Sequence, residues 1–145
     1  MLYSPLIRKA CMLLFEAHRD DLDKGGYPYV FHPFYLATQM DDEASICVAL
    51  LHDVPEDHGD RYSLEALAAE GFPDEVIDAL RLLTHRDGVP YMDYVKALAV
   101  NPIARRVKQA DLRHNLDSSR TDGQKPRKYD LYLEALTYLL QAESG

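Results

Sequence analysis

The stretch ALLHDVPEDH, Ala49 to His58, sets an apolar run directly against a His-Asp pair and, beyond Val54 and Pro55, against a Glu-Asp pair. Adjacent residues on a helix project about 100° apart, so His52 and Asp53 could converge on one ion held between them. An imidazole with a carboxylate suits manganese, iron, zinc or cobalt better than magnesium or calcium. Pro55 lacks an N–H and biases Val54 away from the helical region. The helix that begins near Asp42 should therefore end there and leave Glu56 and Asp57 on its exit turn, where they can face a cavity. A mononuclear centre needs further ligands, and His32, before Pro33, and Asp111, in VKQADLRHN, are the natural candidates. Periodicity alone does not select them: a His before a Pro is more often a loop or cap residue, and an Asp in an amphipathic helix usually faces solvent. The flank of Asp111 argues for it. Val107 and Ala110 mark an apolar side, and Lys108, Asp111, Asn115 and Ser118 fall on one adjoining stripe at steps of three and four residues.

These groups need elements to hold them, and every long apolar pattern has a helical period. Leu6, Ala10, Leu13, Leu14 and Ala17 recur at helical steps, as do Leu36, Ala37 and Met40, and then Ile46, Cys47, Leu50 and Leu51. No strand-like alternation runs over several residues. The Gly-rich break KGGYPYVFHP suits a loop entering the next helix at Pro33. Further helices are expected at about residues 63–70, 73–84, 91–100, 102–120 and 126–141, with Ser63 as a cap and Pro73, Pro102 and Pro126 in first turns. The expected fold is all-α, a compact helical bundle around one core, with residues 1–145 as a single domain.

Composition narrows the function classes. With 47% apolar residues in 145, the chain can bury a real core. No apolar run approaches the ~20 residues of a bilayer span, so no membrane partner is expected and the expected location is cytoplasmic. A net charge of −8 argues against a nucleic-acid partner, yet the charge is uneven. Residues 105–128 hold eight cations against three acids, a basic island on which an anionic small molecule could dock. Cys11 and Cys47 lie among apolar neighbours without C-x-x-C spacing and read as small core residues.

In their order, GYPYVFHP, ALLHDVPEDH and VKQADLRHNL resemble the HD-domain hydrolases of the RelA/SpoT type, in particular the small stand-alone enzymes that degrade the alarmones ppGpp and pppGpp. The likeness runs over about residues 17–118. A bare H-D dipeptide would be weak evidence; H…H-D-x-x-E-D…D with these flanks is specific. The resemblance implies an HD-type bundle and metal ligation by His32, His52, Asp53 and Asp111, usually to manganese, with other divalent transition ions admissible. It implies that Glu56 and Asp57 are the catalytic pair and that Lys24 and Asn115 contact substrate, a small phosphorylated nucleotide. Lys108, with Arg113 as a further candidate, would offset phosphate charge. The implied reaction removes the 3′-pyrophosphate of ppGpp or pppGpp to give GDP or GTP. The ion would acidify a water and polarise the ester. A synthetase activity is not expected of these residues, and the oligomeric state stays open.

Two stretches depart from the family pattern. A basic pair is common before the P-Y motif, one member stacking on guanine, but this chain reads LDKGG with Asp23 at that place; and AHRDDLD carries Asp20 and Asp21 where G-Q is typical. An acid cannot supply a planar cation for stacking. Asp23 thus favours one alternative, an HD-superfamily hydrolase of another small nucleotide. A second alternative is a sensor that binds metal and nucleotide without turnover, for which both Glu56 and Asp57 would be superfluous. His18, His58 and His85 read as helix-end or turn residues, not ligands, whereas His114 adjoins the Asp111 stripe.

Overall fold

A computed structural model describes residues 1–121, 123, 125 and 127–144. The described residues form nine α-helices: α1 Pro5–His18, α2 Phe31–Ala37, α3 Glu43–Leu51, α4 Val54–Asp57, α5 Leu64–Ala69, α6 Asp74–Leu83, α7 Tyr91–Leu98, α8 Pro102–Asn115 and α9 Tyr129–Ser144, with a 3-10 turn at Ser118–Thr121 between the last two. Side-chain caps set several starts. Ser4 Oγ accepts from Ile7 N, Asp42 Oδ1 from Ser45 N, Ser63 Oγ from Ala66 N and Asn101 Oδ1 from Ala104 N, each relieving an amide that has no intrahelical partner. Pro102 occupies the first turn of α8 as expected; Pro73 sits one place earlier, as the cap of α6, and Pro126 lies outside the described residues.

The all-α expectation holds, with α3 at the centre of the bundle. It packs against α1, α2, α6 and α8, and every residue from Ser45 to Leu51 is buried. The sequence suggested an apolar stripe, but a helix enclosed on all sides needs apolar residues all round. This helix ends at Leu51 with His52 as its cap, earlier than Pro55. Pro55 instead takes a first-turn place in the short helix α4, so Glu56 and Asp57 stand in the first turn of a new helix and not on an exit turn. The helix expected over 102–120 stops at Asn115. There Asp117 Oδ1 accepts from the amide and hydroxyl of Ser119, and Arg120 donates to the His114 carbonyl, so side chains compete for the groups that would continue the helix. The side chain of Ser118 is outside the described residues. Both cysteines are free, Cys47 buried in α3 and Cys11 half-buried. None of the described helices is long and apolar enough to cross a membrane.

Candidate functional site

Four side chains from three helices and a connection meet at one place. His32 belongs to α2, His52 caps α3, Asp53 follows it, and Asp111 lies in α8. His32 Nε2 is 2.8 Å from Asp111 Oδ1; His52 Nε2 is 3.3 Å from Asp53 Oδ2 and 3.8 Å from Asp111 Oδ1. His32, His52 and Asp111 are buried, and Asp53 is half-buried. His32, His52 and Asp53 each offer a ligand atom within 4.8 Å of the others.

The groups behind these four fix which atoms face inward. His52 Nδ1 donates to the Ala49 carbonyl at 2.7 Å, which turns Nε2 toward the carboxylates, where it has no hydrogen-bond partner. His32 Nδ1 lies 2.7 Å from His114 Nδ1, and the two rings are stacked. Burial, then Arg120 and His32, lower the His114 pKa to about 4, so His114 is neutral and the two facing nitrogens share a single proton. His32 then presents its other nitrogen to Asp111. In metal centres a ligating imidazole is held in this way through its second nitrogen.

The charges at the centre favour an ion. Burial opposes charge on His52, but Asp53 and then Asp111 outweigh it and raise its pKa well above the ordinary value. Burial likewise opposes the Asp111 charge, and the Lys108 ammonium overcomes this and holds the carboxyl well below its usual range. Two carboxylates and two inward nitrogens therefore need positive charge at their meeting point, which a divalent ion supplies in place of a proton. The residues fit such an ion.

Lys108 and Asn115 occupy unexpected positions. Lys108 Nζ lies 2.9 Å from Asp111 Oδ2, with the faces of Tyr94 and Tyr91 at 5.3 and 5.7 Å. It is nearly buried and balances Asp111 from behind the centre. Asn115 Nδ2 donates to Asp111 Oδ1 at 3.0 Å, and its own carbonyl accepts from Arg120, so it bridges the centre and the cavity. Arg113 faces a different depression, with Gln39, Arg106 and Glu143, which corrects its reading as a phosphate neighbour.

Beside the centre opens a cavity of about 570 Å³, walled by Lys24, Arg120, Lys125, Arg127, Asn115 and Tyr132 among others. Most of its cations come from the basic island. Tyr132, which looked like a core or interface residue, forms part of this wall. Tyr29 donates its hydroxyl to Asp53. Burial first, then the Asp53 charge, keep it a phenol. Asp23 does not project as a stand-in for a stacking cation: its Oδ1 accepts from the amides of Gly25 and Tyr27, both at 2.9 Å, and its Oδ2 lies 4.0 Å from Arg120. The turn also needs Gly26, whose φ is +85°.

Glu56 and Asp57 project from α4 and are exposed. Glu56 Oε1 accepts from the His85 amide at 2.7 Å, which anchors one of its oxygens. Partial desolvation and the Asp53 charge raise the pKa of both, that of Asp57 to about 6. Asp57 can thus exchange a proton near neutral pH.

The sequence reading missed two things. It left His114 unassigned, although its place one turn from Asp111 was a usable signal. It also set aside His18 and His58, which the fold brings onto Asp21 in a second imidazole–carboxylate cluster.

No protein-family profile matches the chain. A probable GTP pyrophosphokinase of Mycobacterium leprae (strain TN) is 31% identical over 128 residues, covering 79% of this chain and 16% of that protein. A GTP pyrophosphokinase of Streptomyces coelicolor is 31% identical over 133 residues, covering 79% and 15%. The chain thus spans about a sixth of the length of the relatives it matches. Among solved structures, one described as a metazoan ortholog of SpoT that hydrolyzes ppGpp and plays a role in starvation responses superposes with a TM-score of 0.77 at 23% identity, over 100% of this chain and 89% of that one. The chain has the fold of that hydrolase. The resemblance to the RelA/SpoT type read from the three motifs is borne out, and the bundle is of the HD-domain type.

Proposed function

We propose that the chain is an HD-type, metal-dependent phosphohydrolase that removes the 3′-pyrophosphate of ppGpp or pppGpp, giving GDP or GTP and pyrophosphate. The observation that carries this reading is the convergence of His32, His52, Asp53 and Asp111, with His52 Nε2 unpartnered, on the edge of a cation-lined cavity. The name of the structural neighbour supports the substrate class; the kinase names belong to relatives about six times longer.

When bound, a divalent ion, in our reading manganese, supplies Lewis acidity and a water that ionises near neutral pH. His32, His52, Asp53 and Asp111 hold it. Glu56 and Asp57 orient the attacking water and take up its proton, and their mutual charge makes them act as a pair. Lys24, Arg120, Lys125 and Arg127 balance the phosphates. Asn115, which lines the cavity, is the residue we assign to the sugar or base, while Lys108 acts on substrate only through Asp111. Residues 1–145 act as one domain, in the cytoplasm.

The test is pyrophosphate release from ppGpp by metal-stripped protein resupplied with manganese, beside Asp53→Ala and a panel of ordinary nucleotides. Manganese-dependent release that Asp53→Ala lacks is expected; turnover of a different nucleotide alone would move the substrate while keeping the centre. That second outcome has one observation in its favour, since Asp23 is spent on the turn at Gly25 and Tyr27 and gives no cation for stacking a guanine. Binding of ppGpp without turnover by the intact protein would leave only a sensor.

A further inference from the structure

Three other side chains bring metal-binding atoms together. His18 is the last residue of α1, Asp21 follows in the loop, and His58 caps the end of α4. Asp21 Oδ2 is 2.8 Å from His18 Nδ1 and 2.7 Å from His58 Nε2, and the three ligand atoms lie within 4.8 Å of one another. The two rings meet edge to face with centroids 4.8 Å apart. His18 is 1% exposed, while His58 and Asp21 are partly open to solvent, so the cluster has a closed back and an accessible front.

We propose that His18, Asp21 and His58 form a second cation site, for a divalent transition ion such as zinc. Two imidazoles and one carboxylate are a donor set that zinc, iron, cobalt and nickel accept and that magnesium, which favours oxygen, does not. The shallow depression at the front is walled by Asp20, Asp21 and Asp57 together with Leu22, Tyr29 and His58, so the approach carries negative charge. An ion here would tie the end of α1 and the loop to α4, the helix that carries Glu56 and Asp57. Tyr29 touches both clusters, with its ring 4.6 Å from His18 and 5.8 Å from His32. The site does not depend on the hydrolytic reading.

The competing account is that Asp21 merely accepts two N–H bonds and fastens the loop. Native mass spectrometry and calorimetric titration of the full, metal-stripped chain with zinc separate the two. Two ions per chain are expected in the wild type, falling to one in Asp21→Asn and in His58→Gln, with circular dichroism reporting the fold. If those variants do not fold, the imidazole nitrogen signals of His18 and His58 in the wild type decide: a large shift on adding zinc supports the site, and no shift at saturation overturns it. A single ion in the wild type, or two that both variants retain, also overturns it.

Discussion

The two imidazole–carboxylate clusters use the same chemistry on different supports. At the His32–His52–Asp53–Asp111 centre, each histidine has its outer nitrogen fixed, one by a carbonyl and one by His114, and Asp111 is braced by Lys108 and Asn115. At His18–Asp21–His58 the closed back offers His18 no hydrogen bond: its Nε2 is buried with no partner, and the carboxylate comes from a loop. A set of ligating atoms is thus not yet a tuned site. What distinguishes the first cluster is the layer that holds its atoms in one protonation state and direction.

The comparison can be broken first at the ligands. Asp53→Ala should lower pyrophosphate release by more than the ~100-fold that loss of a supporting partner costs, whereas Asp21→Asn should weaken zinc binding at its own cluster. If hydrolysis fell equally in both, the clusters would be one functional unit. Next comes the brace. Lys108→Ala strands the buried Asp111 carboxylate and should destabilise the metal-stripped fold by about 3–5 kcal/mol in urea unfolding, with much of the loss recovered when manganese is added. A cost near zero would mean that Lys108 is no brace. His114→Ala removes only the orienting partner of His32 and should weaken manganese binding about 10- to 100-fold in a calorimetric titration while the fold persists.

The smallest effect is a pH dependence. Metal-stripped folded protein holds the Asp57 proton up to about pH 6, and the unfolded chain releases it near the ordinary aspartate value. The folded state therefore binds more protons across that window, and stability falls as pH rises through it. Asp57→Asn should raise the melting temperature at pH 7.5 and leave it unchanged at pH 3. An equal gain at both would assign the effect to something other than the proton.

The bundle was legible because helical periodicity and caps such as Ser63 and Asn101 are local signals. Spacing suggested His52 with Asp53, and the stripe around Asp111 argued for that residue, while His32 rested chiefly on the motif resemblance. The enclosure of α3 was not legible, because a fully apolar helix and a striped one differ mainly in what packs around them. The direction of Lys108 was also hidden: its place on the Asp111 stripe says that it is near, and only the packed tyrosines send its ammonium inward. The cluster at Asp21 escaped notice for the same reason, since His18 and His58 are 40 residues apart in sequence and meet only where α1 and α4 converge.

Asp23 carries the shape of its loop. Where the resembling family commonly has a basic pair, this residue now supplies the acceptor for two amides of the turn at Gly25 and Tyr27. Arginine has no acceptor to offer there. An arginine in place of Asp23 would gain a cation and unmake the turn that must carry it. A cation at this place would need a second residue in the loop to accept from those two amides.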